Sequence, residues 1–283
     1  MMTQVNQITL SEEQHGYLKP FIALIAKRVK TKLIICFSFS TIKSSAKNVL
    51  SDTTQEEADI FGLLIITSKK KRLRAYIQNE INSQARYSRM VTLFHDLQYV
   101  RQQIADNDPF FISTLSKGAI LSRDTTNIHC PEFRLADFYF RAKLSYDYNN
   151  ILTVELLEAA SDSRSKDHTG ACLYLLHQSV IRACFALIQV YSGYEPGFND
   201  LDTLLNLCFC LEPRLEIYFP RDKSTNSFYF NELVGTYRHI NFNTHFEVIE
   251  SHAEILFPYV EEFCLKTSFF CEQKIEQYLN AEN

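Results

Sequence analysis

The side chains best suited to acid–base chemistry lie between Arg238 and His245, which are separated by six residues, with His239 and Asn241 in between. A histidine with a near-neutral pKa can take up and return a proton, and a guanidinium can hold a phosphate through two parallel hydrogen bonds. Such groups suit general acid–base chemistry on a phosphate ester, where a positioned acid or base contributes roughly 10²- to 10⁴-fold. A structural or ligand-holding role stays open, because this spacing arises easily by chance.

Two more polar residues, His177 and Arg182, interrupt an otherwise apolar run. His177 shares a helical stripe with Leu173 and Val180, so it faces the bundle or its edge. It is either a core histidine bonded to a neighbouring helix or a polar residue lining a cleft with Arg182 and Arg238. The ligand-binding candidates are therefore His177, Arg182, His239 and Asn241.

His245 and His252 are seven residues, or two helical turns, apart. That spacing could place two imidazoles on one zinc ion, but zinc sites use at least three protein ligands. No third ligand is evident, so the sequence predicts no metal site and no cofactor.

The elements that must position these residues are long helices, since no convincing strand follows residue 131. Predicted helices cover residues 132–161, 165–191, 199–210, 226–241 and 244–279. The second carries a core-facing stripe at spacings of three and four, formed by Leu173, Leu176, Val180, Cys184 and Leu187. Gly193 should end that helix, Asn199 or Asp200 should cap the next, and Pro258 should start, kink or divide the last.

The first half of the chain predicts a small α/β unit. Short apolar runs predict strands at residues 32–37, 59–67, 89–95 and 119–122. Helices are expected at residues 12–30, 69–84, 96–105 and 109–116, and residues 38–57 form a polar stretch. We expect two domains, 1–125 and 126–283, and an α+β fold in which a small α/β domain precedes an all-α antiparallel bundle.

Composition limits the partners. The net charge of -4 provides no general attraction to nucleic acid, so binding would need a local basic patch such as Lys69 to Arg74. The eight cysteines form no Cys-x-x-Cys pair and several lie in apolar segments, as expected of reduced thiols in a cytosolic protein. We find neither a signal-peptide pattern nor an apolar segment of roughly 18 residues, and therefore expect a cytoplasmic protein without membrane contact.

Two apolar runs, Leu33 to Ser40 and Asp59 to Ile66, resemble the first two strands of small nucleotidyltransferase domains in order and hydrophobic frame. The resemblance implies a Gly-Ser step after the first strand. It also implies two aspartates, one residue apart, on the second strand, where they hold Mg²⁺ against a triphosphate. A third carboxylate from a later strand normally completes such a site.

The chemistry of that family is missing here. Ser38 occupies the glycine position, and Ile60 and Gly62 occupy the aspartate positions. Asp59 is one residue out of register, and its same-face partner would be Phe61. A candidate third carboxylate, Asp96, is better explained as a helix cap. We therefore predict a degenerate domain without transferase activity.

Residues 175–205 resemble the central helix, loop and following helix of HEPN domains, which are antiparallel bundles that often follow a nucleotidyltransferase domain. Many HEPN domains are metal-independent ribonucleases with an Arg followed four to six residues later by a His, and two copies meet across a dimer. The resemblance assigns catalysis to Arg238 and His245. Relatives that are inactive keep an Arg followed by an aromatic residue, and the segment Arg238 to Phe246 resembles those too.

The interpretation that follows is a pseudoenzyme: a binding or interaction module for a nucleotide or RNA, acting as a homodimer. The alternative is a metal-independent ribonuclease that uses Arg238 and His245 across the dimer interface. The two differ in whether purified protein cleaves RNA.

Overall fold

The computed structural model describes residues 8–48, 51–68, 88–124, 128–131, 135–218, 225–242 and 250–282. The chain divides into two compact units, Met1–Arg134 and Leu135–Asn283. The first contains a four-stranded sheet with helices, and the described part of the second is helical. The α+β class expected from the sequence is confirmed at this level.

The first unit is built on a mixed sheet of strand order β3-β2-β1-β4. Its strands are β1 (Thr31–Asn48), β2 (Ser51–Thr67), β3 (Ser88–Asp96) and β4 (Ala119–Arg123). β1 runs antiparallel to β2 and β4, whereas β2 and β3 are parallel. The helices are α1 (Glu12–Arg28), α2 (Leu97–Ala105) and α3 (Pro109–Lys117).

Residues 38–57 differ from the sequence-based prediction, which placed no strand in this polar stretch. β1 and β2 continue through it as an antiparallel pair, from Ser40 opposite Ile60 to Asn48 opposite Ser51. In this segment the two strands are held together by backbone hydrogen bonds. The number of apolar residues in one stretch of sequence does not reveal such pairing. The helix predicted at residues 69–84 and the basic segment from Lys69 to Arg74 lie outside the described residues.

One face of the sheet is covered by α1, which begins at a capping box formed by Ser11 and Gln14. The buried stripe of α1 consists of Leu18, Phe21 and Ile25. It packs in one core cluster with alternate residues of β2, Phe61, Leu63 and Ile65. Alternation along β2 therefore sends Ile60, Gly62 and Leu64 to the opposite face.

The second unit is organised around one helix. Its elements are α4 (Leu135–Ser165), α5 (Thr169–Ser192), α6 (Leu201–Leu211), a 3₁₀ helix (Pro213–Tyr218), α7 (Thr225–Phe242) and α8 (Glu250–Glu282). α5 contacts α4, α6, α7 and α8. The stripe predicted for it is fully buried.

Individual residues determine where these helices begin and end. Gly193 ends α5 in the left-handed conformation at φ 73°, which glycine adopts without a Cβ clash. Asp200 caps α6 by accepting a hydrogen bond from the amide of Thr203 at 3.0 Å. Pro258 lies inside α8, which runs through it.

Among the described helices, α5 alone is long and apolar enough to cross a membrane by length and composition. In the protein, 67% of that window is buried. A helix that four others surround is expected to be apolar on every side.

Candidate functional site

The strand that would carry the metal-binding aspartates of a nucleotidyltransferase carries apolar packing instead. Ile60 is fully buried. A Cβ added to Gly62 would lie 2.7 Å from Cζ of Phe37, closer than real Cβ contacts come. The Phe37 ring is itself packed edge-on against Phe110, with ring centroids 5.3 Å apart. A side chain at position 62 would therefore have to displace the Phe37 ring.

The nearby carboxylates have structural partners. Asp59 Oδ1 accepts a hydrogen bond from Thr41 Oγ1 at 2.8 Å. Asp96 caps α2 by accepting from the amide of Tyr99 at 2.9 Å. In the described part of the chain, no three His, Cys, Asp or Glu residues come together as a metal site would require.

The segment that carries the acid–base candidates lies at the end of α7. Arg238 and Asn241 are exposed on its last turns, and His239 is half-buried. Asn241 Nδ2 donates to the carbonyl of Tyr237 at 2.8 Å, so its amide is turned back along its own helix. His245 lies outside the described residues.

His177 belongs to the core of the helical unit. Its side chain is 1% exposed, and its ring stacks on Tyr237 of α7 with centroids 4.1 Å apart. Burial lowers the pKa of His177 to about 4, and the nearby charge of Asp200 offsets only part of that shift. The imidazole is therefore neutral at pH 7.

Arg182, on the same helix, faces a cleft between α4 and α5. The cleft has a volume of about 410 Å³, within the range of small-molecule sites. Its lining comes from two helices and the loop after α5, and consists of Arg141, Leu144, Ser145, Tyr148, Asn149, Arg182, Phe185, Gln189, Glu195 and Pro196. His177 does not line it, and neither do Arg238, His239 or Asn241.

A hydrogen-bonded amide pair joins the two helices along the cleft. Asn149 Nδ2 donates to the carbonyl of Ser145 at 3.0 Å and to Gln189 Oε1 at 3.3 Å. The hydroxyl of Ser145 also donates to Gln189 Oε1. Asn149 is 4% exposed, and its Oδ1 has no hydrogen-bond partner among the described residues. These bonds hold α4 against α5 at a fixed spacing.

Charged and aromatic side chains line the cleft. Two arginines, Arg141 and Arg182, and one glutamate, Glu195, line it. Arg182 makes no ion pair with any residue whose side chain is described, and its guanidinium lies 5.8 Å from the ring centroid of Phe185. Tyr148 presents a largely exposed ring on the opposite helix. Guanidinium groups beside aromatic rings suit a ligand that is both anionic and planar.

Sequence reasoning found Arg182 but missed the residues that face it. Arg141, Ser145 and Asn149 recur every four residues, which puts them on one side of α4. Arg182 and Gln189 are seven residues apart on α5, again on one side. Two polar stripes on neighbouring apolar helices are a signal of a shared polar cleft, and the sequence contains both.

Neither a protein-family model nor a curated protein matches this chain. A solved structure of a nucleotidyltransferase-like protein from Exiguobacterium sibiricum 255-15 aligns over 94% of this chain and 78% of that chain, with 12% identity and a TM-score of 0.29. An identity and a TM-score this low do not establish a shared fold.

Proposed function

We propose that this protein is a cytoplasmic, non-catalytic binding module in which a degenerate nucleotidyltransferase-like unit precedes a HEPN-like helical unit. The helical unit binds a nucleotide or RNA segment in the cleft between α4 and α5. All eight cysteines are free thiols, which fits a reducing compartment.

The observation that carries the proposal is the chemistry of the cleft. Arg182 is a permanently charged fork with no carboxylate partner in the described structure, and Arg141 lies across from it. A phosphate can occupy such a fork through two hydrogen bonds. Tyr148 and Phe185 supply rings on which a base can stack, an interaction worth roughly 1–3 kcal/mol per base.

The absence of catalysis is supported by two features of the described residues. Ile60 and Gly62 replace the metal-binding carboxylates on β2, and Phe37 fills the space beside Gly62. His177, the histidine nearest to the cleft in sequence, is buried and neutral, so it is a poor proton donor at pH 7.

Calorimetric titration of the full chain with adenosine monophosphate and with a short single-stranded RNA tests the proposal. Arg182→Ala should weaken binding by about tenfold or more, since a charged hydrogen bond is worth roughly 1.5–3 kcal/mol. Arg101→Ala, which removes an exposed arginine on α2, is the matched control and should bind as wild type does. Equal weakening by both variants, or no binding by wild type, would show that the cleft is not the site.

The second candidate is a metal-independent ribonuclease. It is favoured by the exposed Arg238 on the last turns of α7, next to the Tyr237 ring that stacks on His177. The test is RNA cleavage by purified protein in EDTA, with Arg238→Ala and His245→Ala alongside. Cleavage that both substitutions abolish would replace the non-catalytic proposal, whereas intact RNA in every sample would leave it standing.

A further inference from the structure

The last helix of the second unit, α8, exposes one face that combines apolar and acidic side chains. Two large apolar side chains lie at the middle of this face: Leu265 is 63% exposed and Phe269 is 50% exposed. Two exposed glutamates precede them in the helix and two follow them. At 3.6 residues per turn, all six side chains fall within about 100° of one another around the helix axis. We call these six residues the α8 face: Glu261, Glu262, Leu265, Phe269, Glu272 and Glu276.

The lysines of α8 do not neutralise the glutamates of the α8 face. Lys266 and Lys274 point away from it and lie over tyrosine rings. Lys266 Nζ is 5.3 Å from the ring centroid of Tyr218, and Lys274 Nζ is 5.2 Å from that of Tyr278. Among the residues that the structure describes, no lysine or arginine forms an ion pair with any of the four glutamates.

Two cations on elements that pack against α8 are held by other carboxylates. Arg214 of the 3₁₀ helix binds Glu212 through two hydrogen bonds of 2.7 Å. Lys143 of α4 pairs with Asp147, one turn further along the same helix. Both cations therefore already have a carboxylate partner, and neither balances the charge of the α8 face.

The glutamates of the α8 face oppose the stability of their own helix. Glu272 and Glu276 are four residues apart, and like charges at this spacing weaken a helix. Glu272 accepts a hydrogen bond from the hydroxyl of Tyr146 at 2.6 Å, and a neutral donor does not balance the charge of the carboxylate. An acidic face with exposed apolar side chains at its middle is better explained by binding than by folding.

We propose that a cationic amphipathic helix of a partner protein docks on the α8 face. The apolar side chains of the partner cover Leu265 and Phe269, and its lysines or arginines lie beside the glutamates at both ends. The face runs about 22 Å along α8, or about four turns, so a partner helix of about 15 residues matches its length. Apolar contact at the centre with charge complementarity around it is the usual arrangement of a protein interface.

The chemistry of the α8 face favours this partner over other classes. Nucleic acid and anionic lipid carry the same sign of charge as the four glutamates, so both are repelled. A polyamine would balance the charge but would leave Leu265 and Phe269 in water. A second copy of α8 would place glutamates against glutamates, which opposes association. The proposal is independent of ligand binding in the cleft between α4 and α5.

A synthetic helix of about 16 residues, built of alanine, lysine and a single row of leucines, is the probe. Fluorescence anisotropy of the labelled peptide should show binding to the full chain. The same peptide with glutamate at every lysine position should bind about tenfold more weakly or less. A peptide of the same composition whose leucines are spread around the helix should also bind about tenfold more weakly. Equal binding of the three peptides, or no binding of the first, would overturn the proposal.

Substitution of the central ring locates the probe. Phe269→Ala should weaken binding of the lysine peptide by about fivefold or more, since aromatic residues at the centre of an interface carry much of its affinity. Phe140→Ala is the matched control, because it removes a ring that is 70% exposed on α4, and it should bind as wild type does. Equal weakening in both variants, or in Phe140→Ala alone, would show that the α8 face is not where the peptide docks.

Reversal of the charges tests the complementarity. A variant with Glu261→Lys, Glu262→Lys and Glu276→Lys should prefer the glutamate peptide over the lysine peptide by about tenfold. Glu272 is left in place because it holds Tyr146. Glu155→Lys with Glu158→Lys, which reverses two exposed charges on α4, should keep the wild-type preference. A triple variant that still prefers the lysine peptide would rule out the α8 face as the source of the selectivity.

Sedimentation distinguishes a partner protein from a second copy of this chain. Wild type and Phe269→Ala should sediment with the same mass, because the α8 face repels its own copy. A wild-type oligomer that Phe269→Ala dissociates would mean that another copy covers Phe269, and would overturn the assignment to a cationic partner.

Discussion

His177 and Arg182 lie five residues apart on α5, and the helix sends them to different environments. Five residues at 3.6 per turn rotate the side chain by about 140°, which turns His177 into the core and Arg182 to the cleft. A histidine can enter the core by giving up its proton, and burial lowers the pKa of His177 to about 4. An arginine keeps its charge, and so it remains at the cleft where water or an anion can reach it.

The lowered pKa of His177 predicts how stability depends on pH. The unfolded chain takes up a proton near pH 6.5 and the folded chain only near pH 4, so the free energy of unfolding falls as pH drops through that window. Between pH 7 and pH 5 this single group should cost about 2 kcal/mol. His177→Phe keeps a ring against Tyr237 and removes the group that takes up the proton. The free energy of unfolding of this variant should therefore fall by about 2 kcal/mol less than that of wild type over the same pH range. Urea unfolding at both pH values measures the difference, and carboxylates contribute equally to both proteins. Identical losses in wild type and variant would show that His177 does not titrate in this way.

At the scale of elements, apolar packing occupies both faces of β2. Its α1-facing residues, Phe61 and Leu63, form a core with α1, and its other face brings Gly62 against the Phe37 ring. Glycine fits there because of the close approach of the ring, since Phe37 Cζ would lie 2.7 Å from a Cβ at position 62. Both faces of β2 are therefore filled by apolar side chains.

This packing predicts that Gly62→Ala destabilises the first unit by about 1–3 kcal/mol, the usual cost of overfilling a packed site. Phe37→Leu removes the ring atoms that clash, so Gly62→Ala should cost about 1 kcal/mol less in that background. Gly16→Ala is the matched control: nothing lies within 4 Å of its Cβ, and alanine in a helix should stabilise α1 by about 0.5–1 kcal/mol. Urea unfolding followed by circular dichroism measures the wild type and the four variants. Additive costs for Gly62→Ala and Phe37→Leu would mean that the ring does not limit position 62.

The elements that the sequence predicts well are those whose signal is local. The three-and-four stripe of α5 and the caps at Gly193 and Asp200 are each contained within a few residues, and the structure has them where expected. The extension of β1 and β2 through residues 38–57 depends on pairing between two strands, for which the polar side chains give no local signal. The cleft was missed for a similar reason, because Arg141 and Arg182 are 41 positions apart and meet only when α4 packs on α5.

At the scale of the whole molecule, each of the two units has a core of its own. In the first α1 packs on the sheet, and in the second four helices pack against α5. Every residue that lines the cleft lies between Arg141 and Pro196, within the second unit. The proposed ligand binding therefore depends on residues of that unit.

This division predicts that a fragment of residues 128–283 folds and keeps the proposed ligand binding. It should show helical circular dichroism with a cooperative thermal transition, because a domain with its own core can fold alone. It should bind adenosine monophosphate within about threefold of the affinity of the full chain. Arg182→Ala in the fragment should weaken this binding by about tenfold or more, as in the full chain. A fragment that is folded but binds nothing, while the full chain binds, would mean that the first unit supplies part of the site.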